Sequence, residues 1–419
     1  MYQAPRGTFD ILPEQQSHRR LIENRADALC RRYGYGRIDT PVLEETGLFV
    51  RSVGQETDIV SKEMYTFKDL GGNSLTLRPE GTAPVCRAYL EHGLSSQAKP
   101  VKLYYLSPIF RYDKPQAGRY RQHHQFGYEA IGDADPLLDA EVIEMAWRYY
   151  ESLGLKKLNL LVNSIGCKGC RPDYLKALEE YYKGHEEELC PDCRQRLKTN
   201  RLRLLDCKQP ACRELAAGTP RGADFLCPDC GRHFKQLQEY LAALKLPFSI
   251  EHRLVRGLDY YTRTVFEIQP VAEGAQSTLG GGGRYDDLVE ELGGQSTPAV
   301  GFATGIERIL LNLERQAIAA PEIEKPSIFI AHQGEAAALE AFRLASSLRE
   351  KGIAIMLAGG GKSLKAQLRQ AGKLEVTNAV IIGEEELNNA TAVLRDMATS
   401  EQRTVAIVEL VKELEKPYL

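Results

Sequence analysis

The sequence predicts an α+β protein with an antiparallel sheet flanked by helices, a Cys-rich insertion and a C-terminal α/β domain. Two long strand-like segments, Val101–Arg111 and Arg121–Ile131, are separated by a polar loop that contains Pro and Gly, a pattern typical of an antiparallel hairpin. The elements before residue 166 do not alternate regularly between strand and helix, which argues against a doubly wound parallel sheet. After residue 326 strands and helices do alternate, which predicts a separate α/β domain.

The elements around the predicted hairpin are helices and short strands. Pro13 opens a helix-like stretch that reaches about Tyr33, with apolar residues spaced along one face. Short strands are predicted at Tyr65–Phe67 and Ser74–Leu77, and a further helix is predicted to start at Pro136. These segments supply the helices that flank the predicted sheet.

The composition changes between residues 167 and 245, where Cys, Arg and Leu predominate, which indicates an inserted domain. Strands are predicted after it at Phe248–His252 and Tyr261–Gln269, and a helix at Gly305–Arg315. The segment Ala319–Pro326 is predicted to be a linker. The predicted domain segments are therefore 1–166, 167–245, 246–320 and 326–419.

The last of these segments shows a regular alternation of strand-like and helix-like stretches. The predicted strands are Ser327–Ala331, Ile353–Leu357, Ala379–Ile382 and Val405–Val408. The predicted helices are Ala336–Lys351 and Ser363–Ala371. An alternation of this kind indicates a small α/β unit that folds around its own core.

Composition and charge are those of an ordinary globular protein. Apolar residues make up 43% and charged residues 26% of the 419 positions, which argues against intrinsic disorder. The net charge of -3 neither indicates nor excludes a nucleic-acid partner, because local patches matter more than the total. No apolar stretch reaches the roughly 18 residues of a membrane-spanning helix, and no export signal is visible at the start of the chain. We therefore predict a soluble, cytoplasmic protein that has no membrane partner.

Eight of the 10 cysteines are concentrated in the inserted segment. They form the pairs Cys167/Cys170, Cys190/Cys193, Cys207/Cys212 and Cys227/Cys230. In a large chain without an export signal, repeated C-x-x-C spacing predicts thiolate coordination of zinc rather than disulfides. Eight sulfurs suit either two four-cysteine sites or one site with spare thiols. The alternative without metal is a set of reduced cysteines in a small core.

Glycine-rich segments of this chain do not form a recognised phosphate-binding motif. Gly361-Lys362-Ser363 resembles the end of a P-loop, but Met356 stands where that motif needs a glycine. The run Gly280–Gly283 lacks the spacing of a dinucleotide-binding loop. A triphosphate can instead be held by arginines, whose planar guanidinium groups pair with phosphate oxygens and stay charged. The candidates, from their distinctive surroundings, are Arg111, Arg256 and Arg308.

The segments around these arginines resemble the signatures of a known family. Ile109–Asp113 and Gly301–Arg308 resemble motifs 2 and 3 of the class II aminoacyl-tRNA synthetases. Leu254–Tyr261 and Gly281–Asp286 resemble signatures specific to the histidyl-tRNA synthetase family, and Pro41 matches the proline of motif 1. The resemblance runs over nearly the whole chain.

This resemblance implies a class II synthetase-type fold and a homodimer built on motif 1. The implied reaction is ATP-dependent activation of L-histidine to histidyl-adenylate, with Mg²⁺, followed by transfer to the 3′ end of tRNA(His). Residues 1–166 and 246–320 would form the catalytic domain, and residues 326–419 an anticodon-binding domain. The inserted domain 167–245 is unlike most members of the family, so its predicted zinc binding rests on the cysteine spacing alone.

The resemblance also assigns residues to ATP. Arg111 and Arg256 are the implied catalytic residues: Arg111 contacts the α-phosphate, and Arg256 neutralises the charge that develops there during attack by the histidine carboxylate. Arg308 is implied to contact the γ-phosphate. Asp113 and His123 are implied to contact the adenine, at positions where the family usually has Glu and Phe.

The same resemblance assigns further residues to the binding of histidine and of the tRNA acceptor end. The implied histidine-binding residues are Glu80, Thr82, Arg111, Gln125, Glu129, Arg256, Tyr260 and Tyr261. Within this set, Glu80 and Thr82 hold the ammonium group and Gln125 lies against the amino-acid backbone. Glu129 and Tyr261 grip the two imidazole nitrogens, and Tyr260 lines the pocket. The residues implied to lie near the acceptor end are Lys114, Gln116 and Arg119.

Two other functions compete with the enzyme. Paralogues of this family act as regulatory subunits of ATP phosphoribosyltransferase, but they usually lack the terminal α/β domain and degrade the Arg256–Tyr261 signature, and both features are present here. A zinc-dependent nucleic-acid binder without catalysis would leave the arginine and glycine motifs unexplained. The sequence therefore favours the ligase.

Overall fold

An eight-stranded sheet dominates the first of the two units of this protein. The structure is a computed structural model, and it describes residues 2–54, 57–271, 278–322 and 326–415. The units are Met1–Pro321 and Glu322–Leu419. The strands of the first unit are β1 (Gly36–Arg37), β2 (Leu43–Glu45), β3 (Tyr65–Lys68), β4 (Ser74–Leu77), β5 (Val101–Phe110), β6 (Gln122–Ile131), β7 (Leu158–Ser164), β8 (Phe248–Ile250), β9 (Thr262–Pro270), β10 (Gly280–Arg284) and β11 (Ala299–Gly305). Its α-helices are α1 (Gln16–Arg32), α2 (Thr46–Val53), α3 (Thr82–Glu91), α4 (Pro136–Ser152), α5 (Arg171–Tyr182), α6 (Pro191–Thr199), α7 (Pro210–Ala217), α8 (Pro228–Ala243), α9 (Leu288–Glu291) and α10 (Ile306–Arg315).

The strand order of the large sheet is β1-β5-β6-β11-β10-β9-β7-β8. The outer pairs β1–β5 and β7–β8 are parallel, and every other neighbouring pair is antiparallel. Strands β5 and β6 form the predicted hairpin, with Val101 opposite Ile131 and Phe110 opposite Gln122. The predicted fold class, a mostly antiparallel sheet flanked by helices, is confirmed.

The run Gly280–Gly283, which lacks the spacing of a dinucleotide-binding loop, forms most of the central strand β10. Every residue of β10 is buried, although glycine is normally unfavourable inside a strand. A Cβ atom on Gly282 would lie 1.9 Å from the carbonyl oxygen of Gly301 on β11. The close approach of two backbones therefore requires glycine here. Arg284 ends the strand in a fully buried ion pair with Asp139 of α4.

The inserted segment folds as helices α5 to α8 with short 3-10 turns between them. Each of these helices begins with proline at its first or second position, where the missing N–H costs no hydrogen bond. Helix α8 is anchored to α4 beside the large sheet, because His233 lies 3.0 Å from the Asp139 carboxylate. The insertion is thus attached to the same buried carboxylate that holds Arg284.

The second unit is a five-stranded mixed sheet with helices. Its elements are β12 (Ile328–His332), α11 (Glu335–Glu350), β13 (Ile355–Leu357), α12 (Leu364–Lys373), β14 (Asn378–Ile382), α13 (Glu384–Asn388), β15 (Thr391–Asp396), β16 (Gln402–Ala406) and α14 (Ile407–Glu415). Strands β13, β12 and β14 are parallel, and β15 and β16 add antiparallel neighbours. The prediction of a strand up to Val408 was wrong, because the strand ends at Ala406 and Ile407 begins α14.

Residues 323–325 of the predicted linker lie outside the described residues. Within the part of the chain that the structure describes, none of the helices combines the length and the apolar character that crossing a bilayer requires.

Candidate active site

Glu129 is the buried centre of the candidate site. It lies on β6 with 1% of its surface exposed, and its carboxylate accepts hydrogen bonds from Thr82 Oγ1 at 2.8 Å and Tyr285 Oη at 2.5 Å. Tyr105 Oη donates a longer bond of 3.4 Å. Burial raises the pKa of Glu129 to about 8, because low-dielectric surroundings disfavour the charged form. The carboxyl group can therefore donate or accept a hydrogen bond near neutral pH.

The space for this carboxylate depends on a glycine in the neighbouring strand. Gly301 of β11 pairs with Glu129 across the sheet. A Cβ atom on Gly301 would lie 1.8 Å from Glu129 Oε2, which is well inside van der Waals contact. Any side chain at position 301 would displace the carboxylate.

Glu80 lies just before helix α3 and faces its first turn. Its two carboxylate oxygens accept hydrogen bonds from the backbone N–H groups of Thr82 at 2.7 Å and Ala83 at 2.8 Å. Burial raises the pKa of Glu80, and these two amide hydrogen bonds oppose the rise. The helix start therefore fixes the orientation of a buried carboxylate that still has lone pairs for a ligand.

Strand β6 aligns three of the predicted residues on one face. His123, Gln125 and Glu129 are separated by even intervals, and side chains at such intervals point to the same side of a strand. Gln125 Oε1 is buried and makes no hydrogen bond with any residue that the structure describes. Burial, followed by the charge of Arg111, lowers the pKa of His123 to about 4. His123 is therefore a neutral aromatic ring at pH 7.

Tyr260 and Tyr261 close another side of the site. Both are buried, and their ring centroids lie 4.7 Å apart. The Tyr260 ring also makes an edge contact with Tyr285, with centroids 5.6 Å apart. The guanidinium carbon of Arg256 lies 5.9 Å from the centroid of Tyr261. The two tyrosines therefore connect the Glu129 region to Arg256.

The three predicted arginines converge on one region. Arg256 forms an ion pair with Glu267 of β9, and Glu267 also accepts a hydrogen bond of 2.9 Å from Thr278 Oγ1. Arg308 Nη1 donates to the Thr278 carbonyl oxygen at 2.8 Å. Arg111 Nε donates to the carbonyl oxygen of Pro79, directly before Glu80. Thus Thr278 links the surroundings of Arg256 and Arg308, while Arg111 lies beside the Glu80 pocket.

The charges of these arginines reach one another. Burial, followed by the positive charges of Arg119 and Arg111, lowers the pKa of Arg308, and Arg256 acts in the same direction. Gathering like charges is unfavourable unless an anion neutralises them. The Nε group of Arg256 is buried and has no hydrogen-bond partner among the described residues. Such a region is suited to a polyanionic ligand.

The loop between β5 and β6 places the remaining predicted residues. Gln116 and Arg119 exchange backbone hydrogen bonds of 3.0 and 2.8 Å and close a tight turn. Arg119 Nε lies 2.8 Å from Asp113 Oδ2, and Asp113 Oδ1 accepts from the Lys114 backbone N–H at 2.7 Å. The Asp113 carboxylate is thus already engaged within its own loop.

Three side chains that contact the predicted site residues were not themselves predicted from the sequence. Tyr105 and Tyr285 donate to Glu129, and Glu267 pairs with Arg256. Tyr285 lies inside the Gly281–Asp286 signature, so its position in that motif was an available signal. Tyr105 and Glu267 occupy ordinary strand positions, and no local pattern distinguishes them.

The eight paired cysteines form two separate clusters. The first cysteine cluster is Cys167, Cys170, Cys227 and Cys230, and the second cysteine cluster is Cys190, Cys193, Cys207 and Cys212. In each cluster all four sulfur atoms lie within 4.8 Å of one another.

The sulfur spacing within both clusters suits a tetrahedral metal site. Cys167 Sγ lies 3.7 Å from Cys170 Sγ and 4.0 Å from Cys227 Sγ, and Cys190 Sγ lies 3.9 Å from Cys207 Sγ. Tetrahedral zinc with Zn–S bonds of about 2.3 Å places its sulfurs about 3.8 Å apart. A disulfide would require about 2.05 Å. Of the two arrangements that the sequence left open, this geometry favours two four-sulfur sites.

The antiparallel sheet and its buried, arginine-rich site define a class II aminoacyl-tRNA synthetase. The model of a family described as "Histidyl-tRNA synthetase" matches residues 7–170 and 226–309, and an "Anticodon binding domain" model matches residues 327–417. The chain belongs to the histidyl-tRNA synthetase family and is an enzyme, a ligase. The family and the ligase activity predicted from the sequence are confirmed.

Individual relatives agree with this membership. The chain is 62% identical to a "Histidine--tRNA ligase" from Dehalococcoides mccartyi, over 99% of this chain and 100% of the relative. It is 52% identical to one from Desulforamulus reducens, over 97% of each chain. A crystal structure of apo S. aureus histidyl-tRNA synthetase matches with a TM-score of 0.82 at 40% identity, covering 99% of this chain and 100% of that one.

Proposed function

We propose that the chain activates L-histidine with ATP and transfers it to the 3′ end of tRNA(His), using the pocket around Glu129 for histidine and three arginines for ATP. The observation that carries this proposal is the convergence of Arg111, Arg256 and Arg308 beside a buried carboxylate pocket. Each arginine lies in a different part of the chain, yet Arg308 experiences the charges of the other two.

The histidine pocket offers complementary groups to each end of the amino acid. The Glu80 carboxylate and the Thr82 hydroxyl can accept hydrogen bonds from the ammonium group, and unpartnered Gln125 Oε1 provides a further acceptor. Glu129 and Tyr261 bind the two ring nitrogens, and Tyr260 packs alongside. A substrate that lacks these nitrogens leaves buried polar groups unpaired, which can reject it by about 10⁴–10⁵-fold.

The arginines act on the phosphates during activation. A histidine carboxylate oxygen attacks the α-phosphorus, the bond to the β-phosphate oxygen breaks, and the products are histidyl-adenylate and pyrophosphate. Arg111 and Arg256 stabilise the charge at the α-phosphate, and Arg308 orients the γ-phosphate. Catalysis here depends on positioning and electrostatic stabilisation. Mg²⁺ bound with ATP supplies further neutralisation of phosphate charge.

The adenine and the acceptor end lie near the loop between β5 and β6. Neutral His123 provides a flat ring for stacking on the adenine, and Asp113 contacts the adenine from the loop between β5 and β6. In this proposal Lys114, Gln116 and Arg119 bind the tRNA acceptor end, whose terminal ribose hydroxyl attacks the histidyl carbonyl and releases AMP. In this proposal residues 326–419 bind the anticodon, and the chain works in the cytoplasm.

An exposed apolar surface supports the proposed homodimer. Val42, Leu43 and Phe67 are 37%, 41% and 44% exposed, and they belong to or adjoin the three-stranded sheet β2-β4-β3. This surface adjoins Pro41, the motif 1 proline. Large apolar side chains grouped on a surface are typical of a subunit interface.

The two cysteine clusters are proposed to bind one zinc ion each. Zinc analysis of the purified full-length chain should give about two ions per chain, since structural sites take four ligands each. Cys230→Ser and Cys207→Ser should each lose one ion, and Cys30→Ala, outside the clusters, should lose none. A chain without zinc would contradict this part of the proposal.

The regulatory-subunit function is the alternative. A Bacillus halodurans structure described as an "ATP phosphoribosyltransferase regulatory subunit/histidyl-tRNA synthetase" matches with a TM-score of 0.65 but only 24% identity, covering 91% of this chain and 98% of that one, so that likeness concerns the fold alone. The presence of Arg111, Arg256 and Arg308 around one region favours the ligase.

Thermal-shift measurements on the purified chain test the histidine pocket. Histidine should raise the melting temperature of the unmodified chain and should not raise that of Tyr261→Phe to the same extent. Histidinol keeps the ammonium group and the imidazole ring. It should therefore also raise the melting temperature of the unmodified chain more than that of Tyr261→Phe. Equal stabilisation of both proteins by histidine would contradict the role of Tyr261.

A further inference from the structure

The loop that carries Arg256 and Tyr261 lies outside every helix and strand. This segment, Arg256–Tyr261, is called the recognition loop below. The repeated hydrogen bonds of a β-sheet fix the backbone of a strand, but no residue of this loop belongs to a strand. A cavity of about 160 Å³ borders it, lined in part by Arg171, Asn200 and Leu258. Because small displacements of catalytic groups can cost about 10²-fold in rate, the loop needs tethers from elsewhere.

The first tether comes from the helix that starts at the first cysteine cluster. Arg171 directly follows Cys170 and begins α5. Its Nη2 group donates to the carbonyl oxygen of Tyr261 at 2.6 Å and to that of Gly166 at 3.2 Å. One guanidinium group thus connects the backbone of the recognition loop to the backbone beside Cys167.

The second tether comes from the segment that the second cysteine cluster closes. Asn200 lies between Cys193 and Cys207, at the end of α6. Its Nδ2 group donates to Asp259 Oδ1 at 2.6 Å. Arg203, three residues later, lies against the same loop, since a Cβ atom on Gly257 would be 3.1 Å from Arg203 Nη1.

The same segment is also held to the body of the catalytic domain. Arg196 and Arg203 both reach the carboxylate of Asp58, at 3.2 and 3.6 Å. Asp58 follows α2, and the backbone N–H of Asp259 donates to Val53 of that helix at 3.3 Å. The recognition loop is thus enclosed between α2 on one side and the inserted segment on the other.

We infer that the inserted domain positions the recognition loop for histidine binding, with Arg171 and Asn200 as positioning residues tied to the two cysteine clusters. Neither residue touches the substrate in this arrangement. Each cluster holds distant positions of the chain together and thereby restrains the segments on which Arg171 and Asn200 lie. The two tethers therefore limit the movement of the recognition loop. This inference rests on the proposed function, because it assumes that the loop binds histidine.

Introduction of a negative charge at the second tether tests the inference. Asn200→Asp places a carboxylate against Asp259, and we expect the KM for histidine in histidine-dependent pyrophosphate exchange to rise about tenfold. The KM for ATP should rise less than the KM for histidine, because Arg111 and Arg308, two of the three arginines assigned to ATP, lie on other elements. Gln195→Ala, an exposed position on the same helix, is the matched control and should change neither constant.

A reciprocal exchange separates positioning from general destabilisation. Asn200→Asp combined with Asp259→Asn restores the hydrogen bond with donor and acceptor reversed, and it should recover most of the histidine affinity. Zinc content and the melting temperature without ligand should match the unmodified chain in all of these variants. Arg171→Met is a second, independent variant and should also raise the KM for histidine more than the KM for ATP.

Two outcomes would overturn the inference. One is an unchanged KM for histidine in both Asn200→Asp and Arg171→Met. The other is an equal rise of both KM values together with a lower melting temperature and no recovery in the reciprocal exchange. An unmodified chain without any exchange activity would instead overturn the proposed function, so the two failures are distinguishable.

Discussion

The hydroxyl group of Thr82, the first residue of α3, donates a hydrogen bond of 2.8 Å to the carboxylate of Glu129 on β6. This bond joins the helix start to the centre of the large sheet. It also places two buried carboxylates near each other, because the backbone N–H of Thr82 donates to Glu80. One residue therefore orients both acidic groups of the proposed histidine pocket.

Removal of this hydroxyl should weaken histidine binding. Thr82→Val keeps the shape of the side chain but leaves the buried Glu129 carboxyl group without one of its donors, a loss of about 1–3 kcal/mol. We expect the KM for histidine to rise about tenfold or more. Thr82→Ser keeps the hydroxyl and serves as the control. Equal histidine constants for the two variants in the exchange assay would contradict the assigned bond.

The raised pKa of Glu129 predicts a pH-dependent contribution to stability. The neutral carboxyl group is favoured in the folded chain, so its stabilisation is fully present below the ordinary pKa of 4.5 and is lost as pH rises through about 8. Glu129→Gln has no such titration. Between about pH 6 and about pH 9 the melting temperature of the unmodified chain should therefore fall more than that of the variant. Parallel melting curves across this range would contradict the prediction.

Gly301→Ala should damage the histidine pocket although position 301 has no functional side chain. The added methyl group would occupy the place of Glu129 Oε2, and the carboxylate would have to move. We expect loss of histidine-dependent exchange and a destabilisation of about 1–3 kcal/mol from overpacking. Gly36→Ala in β1 of the same sheet is the control, because its new Cβ atom would lie 3.9 Å from the nearest atom. An active Gly301→Ala chain would show that Glu129 is not fixed as described.

The apolar surface beside Pro41 should determine the association state. Leu43→Asp introduces a charge into the proposed interface, where an unpaired buried charge is strongly unfavourable. Sedimentation velocity should show a dimer for the unmodified chain and a monomer for the variant at micromolar concentration. Leu339→Asp, an exposed leucine of α11 in the second unit, should leave the dimer intact. A dimer in both variants would place the interface elsewhere.

Local patterns were sufficient to predict several features of this fold. The β5–β6 hairpin, α1 and the strands at Tyr65 and Ser74 follow from hydrophobic periodicity and turn residues, and the structure has them within one to three residues. The cysteine spacing predicted metal ligands because C-x-x-C brings two sulfurs together within one turn. These are properties of short segments, which a sequence displays directly.

The features that depend on contacts between distant segments could not be predicted. Four consecutive glycines make up most of the buried strand β10, because the backbones of β9 and β11 approach too closely for side chains, and no local rule gives this result. Glu267 became part of the site only through its pairing with Arg256. The assignment of eight cysteines to two clusters likewise depends on how α5 to α8 pack. Arg111, Arg256 and Arg308 were recognised through their motifs, and only the structure brings them into one region.

Histidine-dependent exchange of labelled pyrophosphate into ATP is the most direct measurement of the central claim, that three arginines bind one triphosphate beside a histidine pocket. The unmodified full-length chain should catalyse the exchange with histidine and not with other amino acids. Arg256→Met should lower the rate by about 10²-fold or more, and Arg253→Met, three residues earlier in the chain, should not. Absence of exchange in the unmodified chain, or full activity of Arg256→Met, would contradict the account.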